Sequence, residues 1–191
     1  MIDEDMQVLK ILSDTADNIY RTKRSNIARI ENSGFTQEAK DTLMENIVGP
    51  LDESIKYITI QIFSSLNKIP IYNYFLCNVE GMNIFDIAQL ICIIKDVNNF
   101  PHFANLMSYA GFIPKPKKYN QNLHKLLLRI AYKLIKRNPQ YKFVFDINCE
   151  KYREKYPRRT DKHIENLAKR IVIKRFLKNL YFSWTKINND F

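Results

Sequence analysis

The sequence predicts an all-α fold, and three observations carry the prediction. The chain of 191 residues contains only four glycines, too few for the turns of a sandwich, barrel or propeller or for the glycine-rich loop of a Rossmann sheet. Apolar residues recur at spacings of three and four through most of the length. Helix punctuation stands where the periodic stretches begin and end, with Thr36 and Asn83 as N-caps, Pro101 in a first turn and Gly111 as a left-handed stop.

Each element follows from local chemistry. Residues 6–31 read as a helix through Leu9, Leu12, Ala16, Ile19, Ile27 and Ile30, ended by Asn32-Ser33-Gly34. Thr36 opens a second helix, which Gly49-Pro50 is expected to stop. A third spans Asp52 to Leu66, with Ile55, Ile58, Ile62 and Leu66 as its stripe; its β-branched content leaves a strand over 57–63 as the alternative. Ile69-Pro70 is the next break. Ile71 to Leu76 is a short apolar element, Val79 to Met82 a turn, and Asn83 to Ile94 a helix. Asp96 to Phe100 is a loop, and Pro101 to Tyr109 a helix. Residues 113–122 form a basic loop with two prolines. Leu123 to Arg137 carries the clearest amphipathic pattern, with Leu123, Leu126, Leu127, Ile130 and Leu134 on one face and Lys125, Arg129, Lys133 and Arg137 on another. Residues 139–156 give one or two further helices. The last helix runs from about Thr160 to Lys186, with Ile164, Leu167, Ala168, Ile171, Phe176, Leu180 and Trp184 facing the core.

Charge divides the chain. Residues 1–100 hold 9 Lys/Arg against 14 Asp/Glu, whereas residues 101–191 hold 21 against 6. The expected organisation is an acidic, coiled-coil-like helical arm over residues 1–70, followed by a basic helical bundle over 71–191. A net +15 in the back half points to a polyanionic partner. Cys77, Cys92 and Cys149 form no CxxC pair, which argues for a reducing compartment without a disulfide framework. His102, His124 and His163 are scattered, so no zinc site is expected. The acidic start lacks the features of a signal peptide, and no uncharged apolar window reaches membrane-spanning length. These readings place the chain in the cytoplasm with no membrane partner.

The segment from Leu76 to Ala88 has the layout of a helix-hairpin-helix. Gly81, Met82 and Asn83 would offer backbone N–H groups and a helix N-terminus to a phosphate without reading sequence. The remaining candidate contacts are Lys115, Lys117 and Lys118 in the loop, and Lys125, Arg129, Lys133 and Arg137 on the next helix. Arg158 and Arg159 follow the Tyr156-Pro157 break, and Lys162, Arg170, Lys174 and Lys178 lie on the last helix. Tyr119, Tyr152 and Tyr156 stand among these cations and offer rings for base stacking. No P-loop, HExxH, GxSxG or nucleophilic cysteine pattern occurs. Asp86 and Asp96 would need to be brought together to hold a metal. No cofactor, metal or catalytic residue is expected.

The run Leu76-Cys-Asn-Val-Glu-Gly-Met, then Asp96-Val-Asn-Asn-Phe-Pro, then Leu106-Met-Ser-Tyr-Ala-Gly-Phe-Ile-Pro, then Asn122-Leu-His-Lys-Leu-Leu-Leu-Arg-Ile-Ala resembles the C-terminal domain of the DEDD-type insertion-sequence transposases, the bridge-RNA-guided recombinases. The resemblance covers about residues 40–186, and residues 52–70 are similar to the coiled coil that precedes the hairpin there. It implies a transposase-derived helical domain that binds nucleic acid. The family's RuvC-like half, with its four metal-binding carboxylates, has no counterpart here. Residues 115–121 contain no serine where the family carries its nucleophile, and Ser108 belongs to the preceding Ser-Tyr-Ala-Gly step. The reading is therefore non-enzymatic, largely sequence-nonspecific DNA binding, with RNA as the other nucleic-acid partner and a homodimer formed through the N-terminal helices. The alternatives are a structural or protein-interaction module of a virus or mobile element, and a recombinase subunit completed in trans.

Overall fold

A computed structural model describes residues 2–113 and 118–190. The described residues are helices and connecting turns, with no strand, so the fold is all-α. The chain forms two compact units, Met1–Lys68 and Ile69–Phe191.

The first unit contains α1 (Ile2–Glu31), α2 (Gln37–Leu43), a π-helical turn (Met44–Val48) and α3 (Gly49–Leu66). Thr36 caps α2, accepting from the Ala39 N–H at 3.4 Å. α3 runs back antiparallel along α1, with ion pairs near both ends: Lys23 with Asp52, and Lys68 with Asp5 at 3.3 Å. Leu9, Ala16 and Ile30 of α1 and Ile55, Ile58, Ile62 and Leu66 of α3 are buried.

Two expectations change here. Gly49-Pro50 does not stop the chain. Gly49 is right-handed helical, its N–H reaches the Met44 carbonyl five residues back, and Pro50 sits in the first turn of α3. Proline lacks only a donor that a first turn does not need, and the π-turn absorbs the offset. The helix expected over Asp52 to Leu66 is formed within α3, so the alternative strand over 57–63 is not. The stripe expected to join two copies is already buried in the α1–α3 unit, which removes the basis for a homodimer through Ile55, Ile58, Ile62 and Leu66.

The second unit contains α4 (Pro70–Tyr74), a 3₁₀ turn (Leu76–Asn78), α5 (Ile84–Ile94), a 3₁₀ turn (Val97–Asn99), α6 (Phe103–Tyr109), α7 (Gln121–Arg137), α8 (Pro139–Lys155) and α9 (Asp161–Asp190). Asn138 serves two helices. It ends α7, and its Oδ1 accepts from the Gln140 and Tyr141 N–H groups at 3.1 and 3.3 Å to start α8. α8 and α9 form an antiparallel pair, α7 packs across both, and α5 packs on α7. α9 is the axle of the unit and also touches α4, α6 and the second 3₁₀ turn. The Tyr181 hydroxyl donates to the Phe100 carbonyl at 3.0 Å, and Asn188 Nδ2 donates to Asp96 Oδ1 at 2.9 Å. Because neighbours change along α9, its buried face turns. Leu167 and Ile171 are only half-buried, while Val172, Ile173, Leu177 and Tyr181 join the core.

Candidate nucleic-acid interface

The turn before α5 rests on the chain itself. Gly81 has φ +95°, and a Cβ there would lie 3.1 Å from the Lys133 carbonyl oxygen and 3.2 Å from Arg137 Cβ. Asn138 Nδ2 donates to the Glu80 carbonyl at 3.3 Å. Glycine is needed because α7 approaches closely at a left-handed backbone position. Asn83 caps α5, its Oδ1 accepting from the Asp86 N–H at 2.8 Å. Gly81 and Met82 are half-buried and Asn83 is exposed. This geometry is that of a packed corner, and a helix-hairpin-helix as such is not established.

Asp86, in the first turn of α5, is 1% exposed. Arg129 Nε lies 2.9 Å from its Oδ1 and Lys133 Nζ 2.5 Å from its Oδ2, and Arg129 Nη2 donates to Gln89 Oε1 at 2.6 Å. Two of the four stripe cations on α7 thus clamp α5 to α7. A buried carboxylate is tolerated only with such partners. Both cations remain partly open, with side chains 43% and 25% exposed. Lys125 and Arg137 are exposed and make no ion pair among the described residues. α7 contains five Lys/Arg and no Asp or Glu, so its own surface is uniformly positive.

The α8–α9 corner gathers Arg158, Arg159 and Lys162, all exposed and without an ion pair among the described residues. Beside them the Tyr152 and Tyr156 rings stack at 6.2 Å, and Lys155 Nζ lies 5.4 Å from the Tyr156 ring. Along α9, Arg170, Lys174 and Lys178 are exposed at four-residue intervals. Phe182 continues the row, 54% exposed, with Lys178 Nζ 5.9 Å from its ring. From Asn166 to Asn189 this helix carries six Lys/Arg and no carboxylate. Lys142, Arg153 and Lys169 pair instead with Asp146, Asp161 and Glu165.

Both ends of the basic loop are anchored. Gly111 has φ +76°, and a Cβ there would meet Tyr119 Cδ2 at 2.6 Å. The Phe112 and His124 rings stack at 4.4 Å, His124 Nδ1 lies 3.0 Å from the Ala110 carbonyl, and the Asn120 N–H donates to the Tyr109 carbonyl at 2.8 Å. Lys118 is exposed; Lys115 and Lys117 lie outside the described residues.

Sequence reasoning passed over Lys136 and Tyr132 on α7, and Arg175 and Phe182 on α9. All four are exposed, and the signal was the absence of any acid on α7 and on α9 between Asn166 and Asn189. The candidate metal carboxylates are occupied by the chain's own donors, Asp86 by Arg129 and Lys133, and Asp96 by the Asn98 N–H and Asn188. Among the described residues, no group of three His, Cys, Asp or Glu side chains is placed to hold a metal ion, and no helix is long and apolar enough to cross a membrane.

No family model matches the chain, and no curated protein is detectably similar to it.

Proposed function

We propose that the second unit binds nucleic acid, DNA in the first instance, through phosphate contacts that do not read sequence. The single observation that carries this reading is that α7 and the body of α9 present cations with no carboxylate of their own. On an ordinary solvated helix face the two signs alternate, so that the field cancels within a few ångströms. Here the field adds up, and a polyanion releases counterions on binding. The proposed contacts are Lys118, Lys125 and Arg137, the corner Arg158, Arg159 and Lys162, and the row Arg170, Lys174 and Lys178, with Arg129 contributing from its fixed position. The resemblance to the transposase C-terminal domain points the same way, and within this proposal the unit derives from such a domain and acts without strand-exchange chemistry.

The test is a titration of random duplex at several salt concentrations. Neutralising about six phosphates gives a log–log slope of roughly −5, from about −0.9 per contact. Binding that ignores salt, or no binding at low salt, rejects the proposal.

A protein-interaction module is the second reading. It is favoured by the outer face of α8, where Phe143 (65% exposed) and Ile147 stand in line with Glu150 and Glu154. Under that reading random duplex is ignored, and substitutions on α8 rather than α9 change partner binding.

A further inference from the structure

We infer that the outer face of α7 takes an unpaired nucleic-acid strand, with a base stacked on Tyr132 and phosphates on Lys125, Arg129 and Lys136. The inference rests on the nucleic-acid reading above and names its substrate class.

Lys125, Arg129, Tyr132 and Lys136 follow one another at intervals of four, three and four residues, so they share one side of the helix. That side is away from the core, since Leu126, Leu127, Ile130, Ala131 and Leu134 take the opposite one. Tyr132 is 61% exposed and Leu128 beside it 42%. An aromatic ring left open to water between cations, on a helix with no carboxylate, has the composition of a base-stacking platform. The tyrosines weighed from the sequence are less open: Tyr152 is half-buried and stacked on Tyr156, which is 37% exposed, and Tyr119, 41% exposed, packs against Gly111 and His124.

Arg129 makes the platform rigid. Its guanidinium is held by Asp86 and Gln89 while the side chain stays 43% exposed, so a strand meets a cation already fixed in place, with less entropy to lose. Lys125 and Lys136 are about 16 Å apart along the helix axis, against a rise of ~3.4 Å per stacked nucleotide. That leaves room for a base on Tyr132 between two phosphate contacts.

A duplex uses this face poorly. Its bases are stacked on each other behind two backbones, so the convex helix brings Tyr132 to a phosphate, and inserting the ring would require unstacking a base step. An unpaired base has a free face to offer, in DNA and RNA alike.

The experiment is fluorescence anisotropy of the full chain with one labelled sequence, as single-stranded DNA, as single-stranded RNA and hybridised to a complement, at a common salt concentration. Tyr132→Ala is expected to weaken single-strand binding about tenfold and duplex binding less than about twofold. Tyr132→Phe, which keeps the ring, should stay within about twofold of the parent on all probes. Lys136→Gln should weaken all of them. Equal loss on DNA and RNA strands supports the shared chemistry, and loss on one alone narrows the strand to that kind. If the chain binds but Tyr132→Ala changes single-strand affinity by less than about twofold, or the duplex is held tighter than either strand, this inference fails and the broader reading stands. If no probe binds, the broader reading fails. Thermal unfolding of each variant shows that the fold is intact, as expected for an exposed ring.

Discussion

Asp86 separates two kinds of cation that look alike in sequence. Lys133 closes on a carboxylate that is almost wholly buried, whereas Arg170 has no such partner. Removing Asp86 leaves Arg129 and Lys133 facing each other without a counter-ion. Asp86→Ala is therefore expected to lower unfolding free energy by about 1–3 kcal/mol, the cost of losing charge-assisted hydrogen bonds to cations that stay partly open to water. Lys133→Met should cost stability as well, while Arg170→Ala should leave it within about 0.5 kcal/mol of the parent. Arg170→Ala should instead reduce the salt slope of nucleic-acid binding by about 0.9. Denaturant unfolding and a salt titration of the same variants check both halves. Equal effects of Lys133 and Arg170 on stability would contradict the assignment of Lys133 to the clamp. Some of this was legible beforehand. Asn83 capping α5 and Gly111 in the left-handed region follow from local chemistry, which reaches only three or four residues. The Asp86–Lys133 pair spans 47 positions, and no local pattern tells a clamp from a solvated stripe. Gly81 was singled out for its backbone freedom; the close approach of α7 to it depends on tertiary packing.

Among the elements, α7 was the most legible and α9 the least. α7 packs on α5, α8 and α9 through a single apolar stripe, Leu123, Leu126, Leu127, Ile130, Ala131 and Leu134, which records its burial. α9 packs on α8 near its start and gathers α7, α4 and α6 further on, so its stripe wanders and two expected core positions, Leu167 and Ile171, are half-exposed. Turns marked by glycine or asparagine could be read. The end of α5 at Ile94 was also read, although Lys95 holds φ +62° in a place where glycine would ordinarily announce the stop. α8 buries only Tyr141 and Cys149, and this has a consequence at high pH. Burial pushes the Tyr141 phenol above its ordinary 10.0 and the Cys149 thiol above its ordinary 9.0. In each case the fold favours the protonated form. Their contribution is fully present below the unfolded values and is lost as pH climbs past 9 and 10 through the folded ones. Tm should therefore fall over this alkaline range, and the fall should be shallower in a Tyr141→Phe, Cys149→Ala double variant. A parent and variant with parallel Tm–pH curves would show that these two groups do not couple ionisation to folding.

For the whole molecule, the decisive property is where charge sits relative to the two compact units. Met1–Lys68 carries 8 Lys/Arg and 11 Asp/Glu, a net of −3; Ile69–Phe191 carries 22 and 9, a net of +13. The sign change was readable from composition, because net charge adds along a chain whatever its fold. Which apolar stripes remained open was not, because Ile55, Ile58, Ile62 and Leu66 look the same whether a second copy or α1 covers them. The second unit has its own buried centre, built around Phe176, Leu127, Leu123 and Leu106, with contacts from α4 to α9. It is long enough to stabilise such a core alone. Expressed separately, residues 69–191 are expected to unfold cooperatively and to bind nucleic acid with a salt slope within about one of the full chain's, since each lost phosphate contact removes about 0.9. Residues 1–68, with a net negative charge, should not bind. Their removal should also raise low-salt affinity modestly, because it takes away like charge that repels the ligand. Anisotropy titrations of the two halves and the whole at matched salt decide it. A flat slope for residues 69–191, or a first unit that binds as tightly as the whole, would place the contact outside the cations of α7 and α9.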